Sequence, residues 1–394
     1  MHHHHIILTL AITLLMCNLH AHGENTAQIA PDSSNFVKAS LIVITPTDII
    51  YSSLGHCAIR MECPSENLDY CFSLETDVQP SEYMRFFNGE TKAAVRAIPS
   101  KDYIEECQRQ GRGITQYELN LTTREKQLLW KNLDEEMMKP PHLNFNFLNT
   151  NCVMMVIIMI QNALVDEHID YGQLPYYAIC KNGDGLRLLT KDTPWYQFIY
   201  ITLSGSICDD HFAMEYRMTP LSLIEVFKKA QIVNNDGRRF LLKERPTTLA
   251  QQAYFMKASK ITPTILFTIL LILVVIITIG EWRWGWNKAA RLIDTILFSI
   301  QFVLGLILCY TTLVSNLFAA HWNWYLIPCN PLPLFFLLLW GRKKHFGRIY
   351  LFYTIVLILF ILSTPLSSQL DIDHQLITAM FAVRTWSKYL QYRK

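Results

Sequence analysis

The density and period of apolar positions change twice along the chain, dividing it into three parts. Ile6 to Met16 is an unbroken apolar run followed by Leu19-His20-Ala21, so residues 1–21 are expected to be a secretory signal peptide. His2 to His5 stand where such signals usually carry Lys or Arg. Met16 is too large for the residue that precedes a lipidated Cys17. Residues 22–36 are polar and form a lead-in. Beyond them, periods of two and 3.6 alternate as in a mixed α+β domain, extending to residue 260. Ser40 to Thr45 predicts a buried strand. His56 to Met61 and Tyr70 to Leu74 predict a strand pair, and Ala93 to Ile98 and Ile114 to Leu121 further strands. Ser81 is the expected N-cap of a short helix stopping at Gly89. Ser100 is the expected cap of a second helix, ending near Gly111. Thr122 and Glu125 fit a capping box that opens a helix through Met138, terminated by Pro140-Pro141. Cys152 to Leu164 is a very apolar helix, too short to cross a bilayer. Pro220 to Ala230 looks helical; the rest of 165–260 shows no clean period.

From Thr262 onward apolar residues dominate, and residues 261–394 are expected to form an α-helical transmembrane bundle. Spans are predicted at 262–279, 292–314, 324–340 and 349–363, the third broken by Pro328, Pro331 and Pro333. A weaker fifth, at 375–390, contains Arg384. Arg283, Lys288 and Arg291 lie between spans one and two. Arg342, Lys343, Lys344 and Arg348 lie between three and four, whereas Ser315–Trp322 and Ser367–His374 carry no Lys or Arg. The positive-inside rule then puts the large domain in the periplasm of a multi-pass bacterial inner-membrane protein, with five crossings and the C-terminus inside. Trp282, Trp284 and Trp286 fit an interfacial belt.

Charge adds an exclusion. With 35 Lys+Arg against 33 Asp+Glu, no basic face suited to nucleic acid is implied. Seven of the cysteines fall in the exported domain (Cys57, Cys63, Cys71, Cys107, Cys152, Cys180 and Cys208). An odd number there predicts disulfides plus at least one free thiol, the alternative being that several are simply buried small hydrophobes. No C-x-x-C, H-E-x-x-H or G-x-S-x-G occurs, which argues against a zinc ribbon, a zincin and a serine lipase. Asp209-Asp210-His211 fits a solvated loop better than a metal site, so no metal and no cofactor is expected.

The pair that can carry chemistry is His56 and Cys152. Cys152 opens a helix after Asn149-Thr150-Asn151, where the helix dipole favours a thiolate, and an imidazole is the base such a nucleophile needs. Asp69, which opens the strand paired to that of His56, is the candidate to orient the ring. Asn151 could join the Cys152 amide in an oxyanion hole, or simply cap the helix.

A histidine on an early strand and a later Asn-Cys opening a helix resemble the permuted papain-like group, which includes NlpC-type enzymes and lecithin:retinol acyltransferase relatives. The fuller series is Tyr51-Ser52-Ser53-Leu54-Gly55-His56-Cys57-Ala58-Ile59-Arg60, Asp69-Tyr70, Phe86-Phe87-Asn88-Gly89, Leu119-Asn120-Leu121-Thr122 and Asn151-Cys152. It resembles the Lnb N-terminal periplasmic domain family of Bacteroidota. Trp322-Asn323 before Pro328, and Gln375 to Arg384, resemble that family's membrane part. The resemblance implies lipoprotein N-acylation: an acyl chain passes from a membrane phospholipid, through a Cys thioester, to the N-terminal amine of a diacylglyceryl-cysteine lipoprotein. Met154-Met155 stand where the family commonly has Thr-Arg, which removes a polar role at those positions. The competing expectations are a Cys-His hydrolase, either phospholipase or cell-wall amidase, and a non-catalytic envelope protein. A bundle of several spans favours lipid substrates, since an amidase needs only one anchoring span.

Overall fold

The computed structural model describes residues 37–48, 52–76, 83–146, 150–211, 219–255, 259–333 and 346–393. The expected signal peptide with Cys17, the polar lead-in, the expected Ser81 cap and the 342–344 loop lie outside the described residues.

Seven antiparallel strands form one sheet in the order β10-β5-β1-β2-β3-β4-β6. They are β1 (Lys38–Ile44), β2 (His56–Cys63), β3 (Leu68–Thr76), β4 (Lys92–Pro99), β5 (Ile114–Glu118), β6 (Leu143–Asn144) and β10 (Thr247–Ala250). The central strands are apolar on both faces because helices cover both. On one face Leu41, Ile59, Met61 and Phe72 pack against α3 (Thr123–Met137), α4 (Cys152–Ala163) and α7 (Pro220–Phe227). On the other, Ile42, Ala58 and Cys71 pack against Tyr103 and Cys107 of α2 (Ser100–Arg109). A short helix, α1 (Tyr83–Phe87), bridges β3 and β4.

The capping box opening α3 is present, with Thr122 and Glu125 each accepting from the other's backbone N–H. Ser100 does not cap α2. It is the first helical residue, after Pro99, and its hydroxyl lies 3.3 Å from the Cys71 thiol. Among the described residues no disulfide forms between the nine cysteines, which favours the reading of them as small buried groups over that of disulfides. Most are buried as small apolar groups on opposite faces of the sheet, Cys57 with the α4 side and Cys71 and Cys107 with the α2 side.

Residues 165–260, irregular in sequence, hold a small sheet of β7 (His168–Asp170), β8 (Gln231–Val233) and β9 (Arg238–Phe240). They also hold α5 (Asn182–Leu189) and α6 (Pro194–Leu203). Arg239 ties the small sheet to α3 by reaching both Glu167 and Glu125.

The C-terminal part is helical. Helices α8 (Pro263–Trp284) and α9 (Asn287–Leu313) are long and apolar enough to cross a membrane. They are followed by α10 (Phe346–Leu362) and α11 (Ile372–Arg393). Ile265, Ile269, Ile272 and Ile276 of α8 face outward, as a lipid-facing surface requires. The expected third span differs: Trp324–Leu326 is a single 3₁₀ turn, and residues 334–345 lie outside the described residues. The Pro328 carbonyl, deprived of a helical partner, accepts from Gln301 and Tyr353 inside the bundle. Arg384 of α11 is fully buried and forks onto Asp294 of α9, with Glu281 of α8 beside it.

Candidate active site

The start of β2 and the N-terminus of α4 meet at one end of the large sheet. Asn151 has extended backbone and its side-chain oxygen accepts from the Met154 amide at 2.9 Å, so α4 begins abruptly at Cys152 with its first N–H groups at the site. The buried Val153 and Val156 anchor α4 on the sheet against Cys57 and Ile59, leaving Cys152 partly exposed at the edge of that core. Gly55, at φ +88°, turns the chain into β2 where a Cβ would lie 2.9 Å from the Ile44 carbonyl.

Three groups set the charge state of Cys152. The Cys57 thiol donates to it most effectively. Burial works against the thiolate, but the charge and hydrogen bond of His56 and the Cys57 backbone N–H add to the first term and hold the Cys152 pKa well below that of an ordinary thiol. Cys57 itself is pushed up, by burial and then by its neighbour's charge, so it remains a donor. For His56, burial disfavours the cation, but attraction to Cys152 and then to Glu75 outweighs it and raises the pKa. Both shifts favour the thiolate–imidazolium form of the pair.

His56 is oriented by β3. Its Nε2 lies 2.8 Å from Ser73 Oγ, Ser73 donates onward to Glu75 at 2.6 Å, and Glu75 itself lies 3.8 Å from Nε2. Because the Ser73 hydrogen goes to the carboxylate, its oxygen accepts from the ring, leaving Nδ1 for Cys152. Asp69 does not take this part. It sits farther along β3, opposite Glu62, in a bidentate ion pair with Arg60 at 2.6 and 2.8 Å. Burial would raise its pKa, but hydrogen bonds from Arg60 and Ser100 hold it below the usual range. Asp69 lay on the correct strand but at the wrong register. Continuing the Ile59–Phe72 pairing toward His56 brings Ser73 and Glu75 level with the ring, a step sequence pattern alone could not take.

These residues open into a cavity of about 680 Å³, within the range of small-molecule sites. Its walls are largely apolar, with Leu54, Leu74, Phe86, Phe87, Phe145 and Val153 among them; Glu75, Asp102 and Glu106 are its acidic lining and Arg112 its fixed cation. Phe87 of the cavity wall, with Asn88 and Gly89 after it, is docked on the helical part. Ser315 donates to the Phe87 carbonyl at 2.5 Å, the Asn316 amide to the Asn88 carbonyl at 2.9 Å, and the Tyr310 hydroxyl to the Asn88 side chain.

A second seam holds α5 and α6 to the membrane part. Asp209 takes the Ser367 hydroxyl and the Ser368 amide at 2.7 and 2.6 Å, so its role in the Asp209-Asp210-His211 run is structural. His374 lies 2.8 Å from the Thr202 hydroxyl and stacks on Tyr325.

Residues 24–183 match the Lnb N-terminal periplasmic domain, and residues 255–394 match the Lnb transmembrane domain. No curated protein and no solved structure matched significantly.

Proposed function

The chain belongs to the Lnb family, a membrane protein with a periplasmic domain and transmembrane helices, and we propose that it is a lipoprotein N-acyltransferase of permuted papain-like fold that works through a Cys152 thioester. The observation that carries this reading is a polarised Cys152–His56 pair at the floor of an apolar cavity whose rim is hydrogen-bonded to the end of a membrane helix.

In the first step the Cys152 thiolate attacks a phospholipid ester carbonyl. The C–S bond forms, the C–O bond to glycerol breaks, and the imidazolium of His56 gives its proton to the departing alkoxide, releasing a lysophospholipid. The α4 N-terminus, including the Cys152 amide with the side-chain amide of Asn151 beside it, supplies donors for the developing oxyanion. In the second step the neutral α-amine of a diacylglyceryl-cysteine lipoprotein attacks the thioester. Neutral His56 accepts its proton, and the thiolate leaves. Holding both lipids at one membrane face raises the effective concentration of the amine over that of water.

A five-crossing inner-membrane topology with the site outside is supported by the loops that touch the sheet domain. Ser315–Trp322 and Ser367–His374 carry no Lys or Arg. The test is expression in a bacterium depleted of its own lipoprotein N-acyltransferase. Triacylated lipoproteins and an equal amount of lysophospholipid support the transferase. Free fatty acid with lipoproteins left diacylated would make the protein a phospholipase.

A further inference from the structure

Arg112 is the cavity group that the reaction above leaves unused. It precedes β5, and its Nε donates to the Thr45 carbonyl at 2.9 Å, which fixes the plane of the guanidinium. The side chain is only 8 % exposed, yet it lines the same cavity as His56 and Cys152. Its Nη2 is buried with no hydrogen-bond partner among the described residues. Folded proteins retain few such groups, since a buried N–H left unpaired costs about 1–3 kcal/mol and more when it is charged. A charged side chain that lines a reaction cavity and keeps one N–H unpaired is a place for an anion.

We propose that Arg112 is the anchor for the acyl donor's headgroup: its free N–H edge binds the phosphodiester of a glycerophospholipid and so sets the ester carbonyl over Cys152. This rests on the thioester reading above. The planar fork of a guanidinium matches two phosphate oxygens, which a lysine ammonium cannot do. The other reactant brings no anion to its reacting end. An α-amine arrives as an ammonium, which suits the acidic lining of Glu75, Asp102 and Glu106 and is repelled by Arg112. The two kinds of charge thus sort the two substrates. Phosphatidyl donors seat their phosphate at Arg112, and the acceptor amine enters past the carboxylates once the lysophospholipid has left.

The test uses the full-length protein in nanodiscs and follows the acyl adduct on Cys152 by intact mass. Phosphatidylglycerol is compared with a diacylglycerol carrying the same two chains. Wild type should be acylated at least ~10-fold faster by the phospholipid, the scale of a lost charged hydrogen bond. In Arg112→Met that preference should collapse to within about twofold, and Arg112→Lys should recover only part of it. A preference that survives in Arg112→Met overturns the assignment, as does a wild type indifferent to the phosphate. If neither donor acylates wild-type Cys152, the thioester reading itself fails, and this inference with it. Should Arg112→Met not accumulate, the unaltered protein still decides the matter. Glycerophosphoglycerol, the headgroup without its chains, should slow acylation of Cys152, and inorganic phosphate at equal concentration should do so far less. Equal inhibition by the two would mark a free-phosphate site and overturn the headgroup assignment.

Discussion

His56 Nε2 lies 2.8 Å from Ser73 Oγ, so a serine on the neighbouring strand, with Glu75 behind it, holds the imidazole toward Cys152. Ser73→Ala should therefore lower acyl-enzyme formation with little change in protein accumulation. Loss of a hydrogen bond to a charged group is worth roughly 1.5–3 kcal/mol, or about 10- to 100-fold in rate. Ser73 is a positioning residue, so the loss should fall on kcat rather than KM and should be partly recovered in Ser73→Thr. Unchanged kinetics in Ser73→Ala would remove the serine relay from the mechanism.

The low pKa of Cys152 owes more to Cys57 than to any other group. The pH dependence of alkylation by iodoacetamide reads this directly. Thiolate appears as pH rises through the lower apparent pKa of the coupled pair, which should lie well below the ~8.5 of an ordinary thiol. Cys57→Ala should move that midpoint upward by at least about one unit, whereas Cys57→Ser keeps a donor and should move it less. Since His56 is raised, activity should fall again on the alkaline side as the imidazolium that protonates the leaving group is lost, giving a bell-shaped profile. A Cys57→Ala midpoint equal to wild type would contradict the hydrogen-bond account.

Gly89 is the point where the cavity rim meets the membrane part. Its φ is +69°, and a Cβ there would lie 2.9 Å from the Asn316 and Leu317 backbone. In Gly89→Ala the left-handed conformation alone costs about 1–2 kcal/mol, and the contact must also open. Acylation from vesicle phospholipid should drop about tenfold or more, while alkylation of Cys152 by a small reagent stays near wild type. If acylation and alkylation fall together, the glycine supports the fold rather than the docking.

The Glu167–Arg239 pair gives stability a definite pH window. Arg239 hydrogen bonds hold the Glu167 carboxyl down at about 2 against the opposing effect of burial. A depressed carboxylate stabilises the fold fully above its unfolded value of ~4.3, and that contribution is lost as pH falls toward the folded value. Glu125 shares the same guanidinium and is pushed upward, chiefly by burial, so the net slope is shallower than for Glu167 alone. Glu167→Gln should cost about 2 kcal/mol near pH 7 and little at the acid end, as a difference in apparent melting temperature that closes on acidification.

Arg384 neutralises Asp294 and Glu281 inside the helical bundle. Arg384→Met strands Glu281 and leaves Asp294 with Lys388 alone, and should cost about 3–5 kcal/mol, seen as loss of folded protein from the membrane. Replacing Asp294 by Asn and Glu281 by Gln in the same chain should restore much of the accumulation. If it does not, the helix needs Arg384 for more than charge balance.

The sequence by itself determined the elements and their chemistry. Short apolar runs between turn residues marked β1 to β4, and alternation marked β5, because strands covered by helices on both faces carry few polar groups. The Thr122–Glu125 capping box fixed the start of α3 by local hydrogen bonding, and the Asn-Cys junction fixed where α4 starts. It also marked His56 and Cys152 as the pair with chemical potential, and the loops without Lys or Arg as those facing the periplasmic domain. Tertiary structure decided what depends on register and docking. Strand pairing put Ser73 rather than Asp69 beside His56, since a shift of a few residues along a strand changes every neighbour while leaving the pattern unchanged. Packing of β2 against α4 turned Cys57, an unremarked core residue, into the strongest donor to Cys152. Arg384, a charge that weakens any hydropathy reading of α11, is matched by acids on two helices distant in sequence. Arg112 stands apart from any motif, and only the fold shows a guanidinium fixed through Nε on the Thr45 carbonyl and unpaired at Nη2 among the described residues, because burial and hydrogen bonding are properties of the space around a residue, not of its neighbours in the chain.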